Sequence, residues 1–148
     1  MNNPIPSPQH PTERKNSMSK YIDGFVIPVP RANMAEYKRV ATLASEVWRE
    51  HGALEYIEAV GDDFPACGDE GTPAPDLIGA SREESLVFSY IVYESREHRD
   101  AVNAKVMEDP RMKEICPAVN GVFDVARMIF GGFRVIVETA KPMEAARS

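Results

Sequence analysis

Leu86-Val87-Phe88-Ser89-Tyr90-Ile91-Val92-Tyr93 is the stretch that decides the fold. Its β-branched and aromatic side chains define a strand. Successive side chains of a strand point to opposite faces of the sheet. Leu86, Phe88, Tyr90 and Val92 therefore point one way, and Val87, Ile91 and Tyr93 the other. A strand with one face in water alternates apolar with polar residues. This one does not, so both of its faces need cover.

The flanking segments complete a pattern. Tyr21-Ile22-Asp23-Gly24-Phe25-Val26-Ile27 reads as a first strand, stopped by Pro28 and Pro30. Asn33 is placed to cap a helix running to about His51, with Tyr37, Val40, Ala41, Ala44, Val47 and Trp48 as its apolar stripe. Gly52 stands where a helix-ending glycine belongs. Ala53 to Val60 is a second strand, ended by Gly61-Asp62-Asp63. Residues 64–83 are rich in Pro, Gly, Asp and Ser, which predicts a long loop of the kind that serves as a lid or is disordered.

Downstream of the third strand, Ser95 is placed to cap a helix from Arg96 to about Glu108. Asp109-Pro110 ends it and starts a short helix through Ile115, after which Cys116-Pro117 to Asp124 reads as loop. Arg127 to Glu138 is a fourth strand, interrupted at Gly131-Gly132 by a bulge or a close backbone approach. In it Met128, Phe130 and Ile136 oppose Ile129, Phe133, Val135 and Val137, so it too is apolar on both faces.

The order β-α-β-β-α-β is that of a ferredoxin-like α+β domain, an antiparallel sheet with its helices on one face. Two helices cannot cover both faces. The simplest cover for the other is the same face of a second copy, which predicts a homodimer.

Composition sets the remaining bounds. A chain of 148 residues, 43% hydrophobic and 27% charged, is ordinary for one globular domain. A net charge of -6 without a Lys/Arg cluster disfavours nucleic acid. Cys67 and Cys116 form neither a disulfide framework nor a zinc-binding pair. The histidines at 10, 51 and 98 lack metal spacing, and no cofactor is implied. Neither a signal peptide nor a membrane span is legible, so the default location is cytoplasmic. Residues 1–17, proline-rich and poor in apolar side chains, read as a disordered tail, with Met18 an alternative start. The domain is expected over residues 18–140, with 141–148 a loose C-terminal end.

Several strings are distinctive. They are Asp23-Gly24-Phe25 with Pro28-Val29-Pro30, Val47-Trp48-Arg49-Glu50-His51-Gly52-Ala53-Leu54-Glu55-Tyr56, Gly61-Asp62-Asp63, Ser89 through Arg96, His98 through Asn103 with Asp109-Pro110, and Arg127-Met128 with Gly131-Gly132-Phe133. Together they resemble the DUF1428 (YbaA-like) family over nearly all of residues 18–138. The resemblance implies a dimeric α/β barrel of the ferredoxin-like kind and no function. The loop at 64–83 departs from the family in composition, and the N-terminal tail lies outside it. Related dimeric α/β barrels include cofactor-free monooxygenases and haem-degrading enzymes, but transferring either activity would be analogy of fold alone.

Candidate chemistry is sparse. Asp23 is an acid inside an apolar strand. It is either a general base or polar anchor of a pocket, or a structural acid paired with an arginine such as Arg127 or Arg134, or part of an Asp-Gly turn. His51 suits the negative end of its helix, or a catalytic role with Glu55 or Glu58 as its carboxylate partner. Arg96, His98 and Arg99, with Asp100, crowd a helix N-terminus. They form either an anion-binding site or a solvated first turn, with His98 facing the core edge. Tyr56, Tyr90 and Tyr93 either line a cavity between sheet and helices or are core and interface residues. No hydrolase elbow, phosphate loop or metalloprotease signature occurs. The reading is a homodimer that binds or transforms a small molecule between sheet and helices. The alternative is a non-catalytic dimeric scaffold or interaction module.

Overall fold

A computed structural model describes residues 19–66 and 70–139. The expected N-terminal tail at 1–17 and the loose end at 141–148 lie outside the described residues. The elements are β1 (Tyr21–Pro30), α1 (Met34–Glu50), β2 (Glu55–Val60), α2 (Ala74–Ile78), β3 (Glu84–Tyr93), α3 (Arg96–Glu108), α4 (Met112–Asn120) and β4 (Ile129–Arg134), with short 3-10 turns at Arg31–Asn33 and Val125–Arg127. The sheet order is β2-β3-β1-β4 and every neighbouring pair is antiparallel. That is the ferredoxin-like topology the sequence predicts.

Register assigns the faces. Asp23 pairs with Ile91, Tyr56 with Ile91 and Phe25 with Phe130, so these side chains share the helical face. Gly24 pairs with Tyr90, Ile57 with Tyr90 and Ile22 with Phe133 on the outer face. The helical face holds two buried clusters. One joins Val40, Ala44, Val47, Ile91, Tyr93, Val102, Val106, Met112 and Ile115; the other joins Ile27, Val29, Tyr37, Ala41, Val87, Val122 and Phe123. The outer face leaves Phe88 54%, Ile129 52% and Phe133 60% exposed. Its far end is closer to covered: Phe64 and Ala74 stand beside Leu86 and Val26 there, and Leu86 is buried.

Local expectations meet the structure unevenly. Ser95 accepts a hydrogen bond from the His98 N–H, the expected cap of α3. Gly52 has φ 119, where a side chain would be strained. Asn33 precedes α1, but its side chain donates to the Val122 carbonyl rather than capping the helix. The helix expected from Asp109 to Ile115 begins at Met112 and runs on to Asn120, through Pro117. A proline inside a helix removes a backbone bond. Here the burial of Met112 and Ile115 outweighs that local cost. Residues 64–83 are not wholly loop, since α2 forms a short helix there. The fourth strand spans Ile129–Arg134, shorter than expected. Gly131 and Gly132 sit in unbroken register, so the pair is no bulge. A Cβ on Gly132 would lie 2.6 Å from the Tyr21 hydroxyl, so the close approach is by the Tyr21 ring.

Candidate functional site

The two core clusters do not close on each other. Between them, under α1 and α4, lies a cavity of about 430 Å³, walled by residues of both. It is partly open to solvent, and the exposed Asn120 and Val125 lie on its wall. Its walls are mostly apolar: Phe25, Ile27, Val40, Ala44, Ile91, Met112, Ile115 and Val119 among them. The sole tryptophan, Trp48, and the exposed free thiol of Cys116 also line it.

One carboxylate enters this wall. Glu58, on the helical face of β2, accepts hydrogen bonds from the Tyr37 hydroxyl at 2.6 Å and the Tyr56 hydroxyl at 3.0 Å. The strand period places Tyr56 and Glu58 side by side, and α1 brings Tyr37 over them. Burial raises the Glu58 carboxyl above its ordinary value; hydrogen bonds from Tyr37, Tyr56 and Ser89 pull it back only in part. Burial, and then the Glu58 charge, push both phenols well above their ordinary range. No cation pairs with Glu58 among the described residues. Sequence reasoning reached Glu58 only as a partner for His51. The available signal was an acid on the inward parity of a strand, two residues from Tyr56.

Asp23 is buried, and its partner is Arg99 rather than Arg127 or Arg134. The Arg99 Nη1 donates to the Asp23 carboxylate at 2.6 Å, and its Nε donates to Asp100 at 2.8 Å. The guanidinium lies 4.8 Å from the centre of the Tyr21 ring. Burial raises the Asp23 carboxyl, and Arg99, Tyr93 and Asn103 counteract this. Asn103 joins the cluster, accepting from Trp48 at 3.1 Å and Tyr93 at 3.4 Å. Neither Asp23 nor Arg99 lines the cavity.

The other sequence-singled residues scatter. Tyr56 lines the cavity. Tyr93 is fully buried beside Asn103 and His98, off the cavity wall. Tyr90 stands on the outer face, its ring 5.8 Å from that of Phe88. His98 Nδ1 accepts from the Glu94 N–H at 2.9 Å, completing the turn that Ser95 begins. With Arg99 committed to two carboxylates and Arg96 exposed, these three do not converge on an anion site. His51 pairs with Asp109 at 2.9 Å, not with Glu55 or Glu58. Asp109 is also gripped by Arg111, which with His51 holds its carboxyl far below the usual range. Among the described residues no group of three or more His, Cys, Asp or Glu could hold a metal ion.

The class of protein is thus a ferredoxin-like α+β domain with an apolar cavity between sheet and helices. The family described as "Protein of unknown function (DUF1428)" matches residues 20–125, and the chain belongs to that family. It is 41% identical over 119 residues to the uncharacterized protein YbaA of Escherichia coli K12, covering 80% of this chain and 98% of that one. The YbaA of Shigella flexneri matches with the same identity and coverage. Among solved structures, a mutant of SnoaB, a cofactor-independent oxygenase from Streptomyces nogalater, aligns with a TM-score of 0.50 at 11% identity, over 84% of this chain and 98% of that one. At that identity the likeness concerns the fold alone. No helix of the described residues is long and apolar enough to cross a membrane.

Proposed function

We propose that the protein is a homodimer that binds a small, largely apolar molecule in the cavity of each subunit. The observation that carries the binding half is the cavity itself: about 430 Å³ of space between the two core clusters, partly open to solvent, with Glu58, Tyr37 and Tyr56 at its wall. Ligand sites are commonly apolar hollows of this scale with a few convergent polar groups. Whether the bound molecule is transformed turns on Glu58, whose burial suits it to hold or accept a proton.

The dimer rests on the outer face. Ile22, Phe88, Tyr90, Ile129 and Phe133 form an apolar surface beyond the end that Phe64 and Ala74 flank. A lone monomer tolerates only a few hundred Å² of such surface. Outer face against outer face would bury on the order of 2,000 Å² in total. Sedimentation velocity at micromolar concentration should give a single dimeric species, and Phe88→Arg should aggregate or unfold it. A stable species at the monomer mass of 16.5 kDa would remove this half.

The binding half is tested by a small-molecule library screened by native mass spectrometry against wild type and Ala44→Phe, which fills the cavity. Adducts on wild type that vanish in the folded variant are expected. No adducts on wild type, or the same adducts on both, would leave a non-catalytic scaffold as the better account.

A further inference from the structure

We infer that the cavity selects a ligand with an apolar body and a hydrogen-bond-donating head, a hydroxyl or an amine, seated on Glu58, and that it rejects anions. This rests on the cavity being a binding site and adds the chemistry of what enters. An ionised carboxylate offers about four acceptor positions. Tyr37 and Tyr56 donate two hydrogen bonds to Glu58, and Ser89 stands across the strand pair from it, which leaves acceptor positions open to a ligand.

The same bonds decide what the tyrosines present. A phenol has one proton, and in Tyr37 and Tyr56 it is committed to Glu58. Their oxygens therefore meet a ligand as acceptors. The indole N–H of Trp48 is committed as well, to Asn103 at 3.1 Å. The polar groups nearest Glu58 are thus acceptors, while the exposed amide of Asn120 also lines the cavity. Lys38 lines an adjoining cleft that shares Tyr37 and Glu58, but it does not line the cavity. A carboxylate or phosphate entering would face Glu58 with no cation on the wall to offset the repulsion. A ligand hydroxyl or amine instead donates to an open position of the carboxylate, and an ammonium also supplies the missing countercharge.

The test uses four molecules of one shape: 1-adamantanol, 1-adamantanamine, 1-adamantanecarboxylate and 1-adamantyl methyl ketone. The alcohol, the amine and the carboxylate are transparent where tryptophan is excited, and the ketone absorbs there only weakly. Binding to the full chain can therefore be followed through the fluorescence of Trp48, the sole tryptophan, which lines the cavity, with the ketone series corrected for its absorbance. The alcohol and the amine should bind at least about tenfold tighter than the carboxylate and the ketone. Glu58→Gln should erase most of that preference. The wild-type ranking decides the matter even if that variant folds poorly. Equal binding of all four, or tightest binding of the carboxylate, would overturn the inference and leave the cavity as a binding site. Binding by none of them, in fluorescence and in thermal stability alike, would overturn the cavity reading and the inference together.

Discussion

Asp23 and Glu58 are acids on the same face of the same sheet, and they have been put to different uses. Both carboxyls are raised by burial. Asp23 is answered by a full positive charge, Arg99, itself largely buried and also held by Asp100. Glu58 is answered by two neutral phenols at the edge of an open volume. A cation partner completes a buried charge and leaves little for a ligand to do. Neutral partners solvate the charge without cancelling it, and Glu58 carries that charge on the cavity wall. The difference separates a structural acid from a binding acid more sharply than burial or strand position does.

Breaking the Asp23 pair should have the largest effect. Asp23→Ala leaves Arg99 without its buried partner and should cost about 3 kcal/mol in denaturant unfolding. Asp23→Leu together with Arg99→Met should recover most of that, because a buried ion pair is replaceable by packing. Failure to recover would mean that the pair does more than hold the fold. Tyr37→Phe removes one hydrogen bond to Glu58 and should cost about 1 kcal/mol. A loss as large as that of Asp23→Ala would erase the contrast.

The pH dependence of Glu58→Gln sharpens the comparison further. The folded carboxyl titrates above its ordinary value of 4.5. Between those two values the folded state binds more protons than the unfolded state, so this residue's contribution to stability falls as pH rises through the window. The stability difference, variant minus wild type, should therefore shift in the variant's favour from about pH 4 to about pH 8. A flat difference would place Glu58 in a water-like environment. Asp23 and the depressed carboxyls such as Asp109 cancel in that difference. The smallest effect is expected at His51, whose bond to Asp109 lies at the turn between α3 and α4. His51→Ala should cost about 0.5 kcal/mol, since Asp109 keeps Arg111, and leave ligand binding unchanged. Altered binding would extend the site to that corner.

The fold was legible because it is written in periods that need no tertiary knowledge. The two-sided apolar character of β3 and the stripe from Tyr37 to Trp48 carry it. The site was only half legible. Asp23 stood out as an acid in an apolar strand, and its burial and ion pairing follow from that position. Its partner did not, because Arg99 comes from α3, and β1 and α3 are brought together only by the sheet. Glu58 was named only as a partner for His51, and its true partner was hidden for the same reason, since Tyr37 reaches it across 21 positions of chain. The helix through Pro117 was hidden by a residue whose local cost is overruled by the burial of Ile115. The cavity itself is a mismatch between two clusters, and no single segment encodes a mismatch.

The contrast between the two acids can be put to one measurement: titration of 1-adamantanamine into wild type, Asp23→Asn and Glu58→Gln, with the unfolding midpoint of each recorded alongside. Asp23→Asn should lose stability and keep its affinity in the folded fraction. Glu58→Gln should keep stability within about 1 kcal/mol at neutral pH and lose about tenfold or more in affinity. The reverse pattern, with affinity following Asp23 and indifferent to Glu58, would contradict the assignment of the binding acid.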